Sequence, residues 1–306
     1  MDVTEQHPAA DYDAAELAAA LRPLGYREIT VLDSVGSTNT WLTDRVAQRT
    51  PRDGDGPDLE AVVTGYQSRG KGRLDRQWVT PAGAAVTFSV ACTPVDRAGR
   101  PWPQELLPWL TLLMAHSITE AVRGLMGAPA TIKWPNDVLN RDRKLCGILA
   151  GLVPTTGAGP RTVVIGAGIN VNQQELPVPT ATSLRLEAGP DGYVPARPEL
   201  LTVVLARFSE VMDRAAQDPA GQLGPDGELR RDIENRLGTL GRRVSLQLPG
   251  SAEPLLATAT GLGASGQLLV RAADGTEHEY SAGDVVHVRP ASPAPGGRGA
   301  AEGPRA

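Results

Sequence analysis

Apolar and polar positions change their period several times along this chain, and the changes mark out its elements. An Ala/Leu-rich run from Ala14 to Leu24 predicts a short helix, and Ile29–Asp33 reads as a strand. Ser37, Thr38 and Asn39 offer N-cap side chains for a helix reaching about Arg49, and residues 50–59 read as a loop. Glu60–Tyr66 and Ala85–Cys92 predict strands on either side of a Gly/Arg-rich loop that runs to Pro81. The clearest helical period lies in Pro103–Met126, where Leu106, Leu110, Leu113, Met114, Ser117, Ile118, Ala121, Val122 and Leu125 trace one face. Strands are expected at Thr131–Trp134, around Val138, at Leu145–Leu152 and at Thr162–Val171. Helices then follow over Pro198–Gln217 and Asp226–Leu237.

The pattern shortens after Gly238. Arg243–Leu248, Thr258–Leu262, Gln267–Arg271, Glu277–Ser281 and Val285–Arg289 read as short strands, separated by turn signals such as Ala264-Ser-Gly266 and Asp274-Gly275. Five short strands in such a span predict a small β-barrel. The termini are rich in Pro, Gly and Ala and cannot bury enough apolar surface to order themselves. The expected organisation is α+β. A disordered N-terminus covers 1–12, a main domain 13–237, a β domain 238–290 and a disordered tail 291–306.

Composition narrows the function classes. The 306 residues allow one large or two ordinary domains, and 41% hydrophobic with 21% charged content fits a soluble globular chain. A formal net charge of −5 argues against a general nucleic-acid binder. No apolar run approaches the roughly 20 residues a membrane span needs. The first residues lack the basic and apolar regions of an export signal, so a cytoplasmic location is expected. Two cysteines (Cys92, Cys146) and four histidines show neither disulfide-framework nor metal-ligand spacing, so no metal site is expected. Only three lysines occur, Lys71, Lys133 and Lys144, among 30 basic residues.

Three segments carry candidate chemistry. Gly65-Tyr-Gln-Ser-Arg-Gly-Lys-Gly72 comes within one residue of a phosphate-binding P-loop, but Gly72 replaces the metal-binding hydroxyl and the helix that should follow is missing from the pattern. The loop still gathers Arg69, Lys71, Arg73 and Arg76 against Asp75, with exposed N–H groups at Gly70 and Gly72. An anion-wrapping loop and a solvated basic turn fit these residues equally well. In Lys133-Trp-Pro-Asn-Asp137 followed by Arg143-Lys-Leu-Cys-Gly147, a hairpin turn over 140–143 would pair Leu139 with Lys144. Asp137 and Lys144 would then lie diagonally on one face, as a site pair or a surface ion pair. Val164–Val171 is an apolar strand whose Gly166 and Gly168 would let another backbone approach, and it lacks the third glycine of a dinucleotide fingerprint.

Taken in order, Gly36-Ser-Thr-Asn39, Tyr66-Gln67 with Arg69-Gly-Lys-Gly-Arg73 and Trp78, Lys133-Trp-Pro-Asn-Asp137, Lys144-Leu-Cys-Gly-Ile148 and Gly166-Ala-Gly-Ile-Asn170 resemble biotin protein ligases. The five motifs span about residues 29–172, and each alone is weak. The resemblance implies a mixed β-sheet with helices packed on it, and an SH3-like barrel for the C-terminal strands. It implies ATP, Mg²⁺ bound with that substrate, and biotin. The two-step reaction makes biotinyl-5′-adenylate and then acylates a lysine of a biotin carboxyl carrier domain of an acyl-CoA carboxylase. By the same resemblance Lys144, Arg73 and Asp137 are catalytic. Ser37, Thr38, Asn39, Gln67, Lys71, Gly72, Arg73 and Lys144 bind biotin or its carboxylate, and Arg69, Gly70, Trp78, Asn136 and Asn170 bind the nucleotide. Lys133 receives no role. No nucleic-acid or membrane partner is implied, and the chain is expected to be a monomer or weak homodimer without a DNA-binding domain.

Against the family's usual GRGRxGR loop, Lys71 replaces an arginine and Asp75 a glycine, which predicts leakier retention of the adenylate. A lipoate or octanoate transferase of the same superfamily is the nearest rival; Gly36–Asn39, the Lys133–Asp137 motif and the terminal β domain favour the biotin branch. A biotin-sensing repressor would need more helices ahead of the first strand, and Lys144 argues against a mere adenylate-binding scaffold.

Overall fold

A computed structural model of the chain describes residues 11–48, 58–154, 160–247, 253–281 and 284–287. In chain order the elements are α1 (Ala14–Leu21), β1 (Tyr26–Val35), α2 (Thr38–Val46), β2 (Asp58–Gln67), β3 (Gly70–Lys71), β4 (Gln77–Trp78), β5 (Ala85–Thr93), α3 (Trp109–Met126), β6 (Ala130–Lys133), β7 (Asp137–Asn140), β8 (Arg143–Leu152) and β9 (Val163–Asn170). They continue with α4 (Leu184–Ala188), α5 (Arg197–Gln217), α6 (Pro219–Leu223), α7 (Glu228–Arg236), β10 (Arg243–Gln247), β11 (Leu255–Leu262), β12 (Leu268–Ala272), β13 (Glu277–Tyr280) and β14 (Asp284–His287).

Seven strands form one sheet in the order β1-β2-β5-β9-β8-β7-β6. β1 and β2 run parallel with α2 as their crossover, and every other neighbouring pair is antiparallel. The sheet is mixed, as expected. Five antiparallel strands in the order β13-β12-β11-β10-β14 make the second sheet, at the five places where the turn signals put them.

Strand alternation sorts the main sheet's two faces. Val86, Phe88, Val90 and Cys92 of β5, with Val163, Ile165, Ala167 and Ile169 of β9, join the large core built with α3 and α5. The opposite face carries a smaller cluster under α2, made of Leu42, Val62, Ala91, Val153 and Val164. Because α2 covers only one end of that face, polar and glycine positions floor the remainder.

Some boundaries differ from the sequence reading, each for a local reason. The helix expected from Pro103 begins at Trp109, because Pro103 and Pro108 cannot donate to a helical ladder and only a short 3₁₀ turn, Gln104–Leu106, precedes it. Gly127, with φ 62°, ends α3 in the left-handed conformation. The Gly/Arg loop contains the two-residue strands β3 and β4, paired Gly70 to Trp78 and Lys71 to Gln77. Short α4 and α6 have too few residues to show a period. Asp11 and Tyr12, expected in a frayed N-terminus, are held by Arg197: its guanidinium bonds Asp11 and lies 5.2 Å over the Tyr12 ring, and Tyr12 is buried. The rest of that expectation, the tail 291–306 and most of the 50–59 loop lie outside the described residues.

Two indoles fasten the sheets together. Trp109 Nε1 donates to Ala264 O at 2.9 Å and Trp134 Nε1 to Gly266 O at 3.0 Å. Gly266 is required there, since it has φ +76° and an added Cβ would lie 3.3 Å from Leu112 and 3.4 Å from Trp109. None of the described helices is long and apolar enough to cross a membrane.

Candidate active site

Residues facing each other across antiparallel strands share a face, so the register dictates what lines the floor. One row runs Thr64, Thr87, Gly168, Gly147, Asp137 and Lys133 through β2, β5, β9, β8, β7 and β6. The next row runs Val62, Ser89, Gly166 and Leu149. Three glycines stand where side chains would otherwise fill the space, and side chains from other segments occupy it.

Asn39 takes the place over Gly166, where an added Cβ would sit 2.1 Å from Asn39 Oδ1. Trp78 covers Gly168, where an added Cβ would meet its indole at 2.4 Å, and the same ring lies 3.3 Å from a Cβ placed at Gly147. The close approach expected at this strand is therefore made by two side chains rather than by another backbone.

The first cluster is polar and neutral. Ser37 caps α2, as expected, and Thr38 follows it into the interior. Thr38 donates from both its N–H, at 2.7 Å, and its hydroxyl, at 3.0 Å, to Gln67 Oε1. Asn39 Nδ2 donates to Leu149 O at 2.9 Å. Ser89, which the sequence reading missed, places its hydroxyl 2.8 Å from Thr38 Oγ1 and 2.6 Å from Asn39 Oδ1. A signal was present: Thr87 and Ser89 alternate with Val86, Phe88 and Val90 in a strand buried along its whole length.

The second cluster is ionic. The β7–β8 hairpin pairs Asn140 with Arg143 and Leu139 with Lys144, in the expected register. Its two loop residues, Arg141 at φ 48° and Asp142 at φ 63°, have the left-handed backbone of a two-residue hairpin turn. A bulge beyond Leu139 then sets Asp137 opposite Gly147. The glycine leaves the path open, so Lys144 Nζ crosses it to Asp137 Oδ1 at 2.7 Å; a Cβ at Gly147 would sit 3.2 Å from that nitrogen. Lys133 Nζ lies 3.9 Å from Asp137 Oδ2, so the lysine without an assigned role flanks the same carboxylate. Burial pushes the neighbouring Cys146 thiol well above its ordinary range, which leaves it without thiolate chemistry.

The Gly/Arg hairpin spans the clusters. Arg69 packs over Gly36, where an added Cβ would meet its guanidinium at 3.2 Å. Gly70 has Trp78 O 2.3 Å and Gln67 Nε2 2.8 Å from an added Cβ. Lys71 is exposed, and the Gly72 N–H donates to Arg76 O at 2.6 Å. Arg73 Nη1 donates to Asn136 Oδ1 at 3.0 Å, and Asn136 Nδ2 to Ile148 O at 2.7 Å. Trp78 Nε1 is buried and has no hydrogen-bond partner among the described residues. A buried indole donor of this kind invites an acceptor. Asn170 is nearly enclosed; its Nδ2 donates to Thr182 O at 2.9 Å and its Oδ1 accepts from Gln173 at 3.0 Å. One N–H and one lone pair remain to it.

A neutral cluster of donors and acceptors thus lies on the same floor as a lysine–carboxylate pair, with an indole between them and an arginine-bearing hairpin beside it. Such an arrangement can seat a polar heterocycle at one end and anionic oxygens at the other. Comparison with known proteins agrees. Residues 31–170 match the Biotin/lipoate A/B protein ligase family, and residues 239–288 match the Biotin protein ligase C terminal domain. A biotin–[acetyl-CoA-carboxylase] ligase of Mycobacterium tuberculosis is 33% identical over 271 residues, covering 87% of this chain and 91% of that protein. The bifunctional ligase/repressor BirA of Escherichia coli is 35% identical over 147 residues, 47% of this chain and 40% of that one. The biotin protein ligase of Aquifex aeolicus in complex with biotin and ATP superposes with a TM-score of 0.63 at 27% identity, covering 87% of this chain and all of that one. Motif order, fold and relatives converge, and the chain belongs to the biotin/lipoate A/B protein ligase family, as a member of its biotin protein ligase branch.

Proposed function

We infer that this protein is a biotin protein ligase, which activates biotin with ATP to biotinyl-5′-adenylate and transfers the biotinyl group to a lysine of a carboxylase's biotin carboxyl carrier domain. In the first step a biotin carboxylate oxygen bonds to the α-phosphorus of ATP and pyrophosphate leaves. In the second the acceptor amine attacks the mixed anhydride, loses a proton and releases AMP. The protein forms no covalent bond of its own; it positions two anions and offsets their repulsion.

The observation that carries this reading is the Lys144–Asp137 pair drawn across Gly147, on the same floor as the Thr38–Asn39–Gln67–Ser89 cluster. In our assignment Ser37, Thr38, Asn39 and Gln67 receive the ureido ring of biotin. Lys144 leaves Asp137 for the carboxylate and α-phosphate oxygens, its compact charge following the oxygen that moves during attack. Asp137, then held by Lys133, orients the acceptor lysine and takes its proton. Arg69, Gly70, Lys71, Gly72 and Arg73 wrap the phosphate, and Asn136 braces Arg73. Trp78 packs on the adenylate with its free N–H toward an acceptor there, and Asn170 borders the base. Mg²⁺ bound with the nucleotide would supply charge that offsets the phosphates, and Asp137, already flanked by two lysines, is assigned no part in holding it. We further assign residues 13–237 as the catalytic domain, 238–290 as the accessory β domain, a cytoplasmic location, and a monomer or weak homodimer.

Incubation with biotin, MgATP and a biotin-carrier domain, followed by avidin detection, tests the reading. Wild type should give avidin-reactive carrier and Lys144→Ala should lose it by about 10²-fold or more, the scale of losing one preorganised charge contact. No product from wild type, or full activity in Lys144→Ala, overturns it.

A further inference from the structure

Lys144 is the second residue of β8, directly after the β7–β8 hairpin turn. Its backbone is held from two sides. Leu139 of β7 faces it on one side. On the other, the Lys144 N–H donates to Thr180 O at 2.7 Å and its carbonyl accepts from the Thr182 N–H at 2.8 Å. Residues 177–182 contain two prolines and form no helix or ladder strand of their own, so something else must hold them.

One carboxylate bonds to both sides of this arrangement. Glu187, on α4, has a side chain only 2% exposed. Its Oε1 accepts from Thr182 Oγ1 at 2.6 Å and Arg143 Nη2 at 2.5 Å, and its Oε2 accepts from Asn140 Nδ2 at 2.7 Å. Arg141 Nη1 approaches Oε2 at 3.5 Å. Arg143, Asn140 and Arg141 are the hairpin next to Lys144, whereas Thr182 belongs to the segment on its other side. Thr182 O also accepts from Asn170. Both supports of Lys144, and the one that fixes the Asn170 amide, converge on a buried anion outside the motifs that place the site on the chain.

We propose that Glu187 is a positioning residue for the adenylation step, fixing the Lys144 backbone and the Asn170 amide by tying the β7–β8 turn to residues 180–182. Its loss would leave the Thr182 hydroxyl and the Asn140 amide buried without their acceptor, and both supports could then move independently. The ureido pocket is bonded to β2, β5 and the far part of β8, none of which touches Glu187. The expected signature is thus selective: loss of adenylation rate with little change in biotin affinity.

The role rests on the ligase reading, and the test separates the two. In the full-length protein, Glu187→Gln and the milder Thr182→Val should each speed hydrogen exchange at the Lys144 and Thr182 amides by about tenfold or more while leaving exchange in β5 unchanged. Single-turnover formation of biotinyl-adenylate should slow by roughly tenfold, with the biotin KM moving less than about threefold. Thr182→Ser, which keeps the hydroxyl, should restore both readouts. Leu201→Ala, a core truncation in α5, supplies a variant destabilised away from the site. Unchanged Lys144 exchange, a rate within twofold of wild type, a biotin KM rising in step with the lost rate, or the same rate loss in Leu201→Ala at equal Tm would each overturn the proposal. If wild type makes no adenylate the ligase reading fails, and the exchange data still decide whether Glu187 holds the strand.

Discussion

Ser89 sits where a single hydroxyl serves two neighbours, both assigned to biotin. Removing it leaves the buried Thr38 oxygen and the partly buried Asn39 oxygen short of a partner, at a cost of about 1–3 kcal/mol. Ser89→Ala should therefore raise the biotin KM by roughly tenfold while the ATP KM stays nearly fixed, which steady-state kinetics with each substrate varied in turn would show. Asp75 is a second residue with a local consequence. It occupies φ 57°, next to Leu74 at φ 53°, so it stands in the left-handed region where the family's loop has glycine. Asp75→Gly removes the strain and a negative charge beside the phosphate-wrapping arginines, and should slow adenylate release by a few-fold, roughly what ~1 kcal/mol allows. An unchanged off-rate in a trap experiment would refute this. At this scale the sequence was legible where chemistry is written in residue type: Lys144 and Asp137 meet, and Gln67 meets Thr38. Glu187 was not legible, because its partners come from positions 140, 141, 143 and 182 and only the folded chain assembles them.

Between residues and the whole chain, the elements show how local signals were enforced or overruled. The hairpin register was readable because a turn over Arg141 and Asp142 fixes it; the bulge beyond Leu139 was not, since it reflects the sheet's need to bury both Leu145 and Cys146. The start of α3 was misplaced because apolar spacing continued through Pro108, where the backbone could not. β14 ends on a histidine whose protonation the fold resists. His287 Nε2 lies 3.1 Å from Thr239 Oγ1 and its Nδ1 3.4 Å from Arg242 Nη1, which also bonds Asp142 of the site hairpin. Burial first, then the charges of Arg242 and Lys133, push the imidazole pKa down to about 4, with Asp142 opposing. The folded state thus prefers neutral histidine. Its contribution is complete above the unfolded value near 6.5 and is lost as pH falls from there toward about 4. Thermal melts should show Tm falling over that window, and His287→Gln should flatten this part of the profile; an identical slope in the variant would exclude the histidine as its source.

For the molecule as a whole, the scarcity of lysine gains a chemical meaning. A mixed anhydride released into solution acylates amines, and this chain offers three lysine amines against 27 arginines. Lys133 and Lys144 are half-buried and both face Asp137, which leaves Lys71 as the most exposed of the three. After turnover without acceptor, intact-mass measurement should find little self-biotinylation, and peptide mapping should place what occurs at Lys71 or the N-terminal amine. Abundant label elsewhere would contradict this. The architecture was the most legible level, because seven strands, the long helices α3 and α5 and five later strands are written in hydrophobic period. The attachment of one sheet to the other through Trp109 and Trp134 was not, since an indole N–H seeking a carbonyl leaves no periodic trace.

The glycine floor has one more consequence, for how this enzyme can vary. A cavity lined by side chains can be retuned by degrees, because each wall residue has larger and smaller relatives. Here the walls at Gly147, Gly166 and Gly168 are missing atoms, and no residue is smaller than the one already present. Along β9 tolerance to substitution should therefore alternate residue by residue: graded with volume at Ala167 and Ile169, which face the core, and all-or-none at Gly166 and Gly168, which alternate with them. New substrate shapes would have to come from what rests on the floor, Asn39 and Trp78, and the floor itself has no room to evolve.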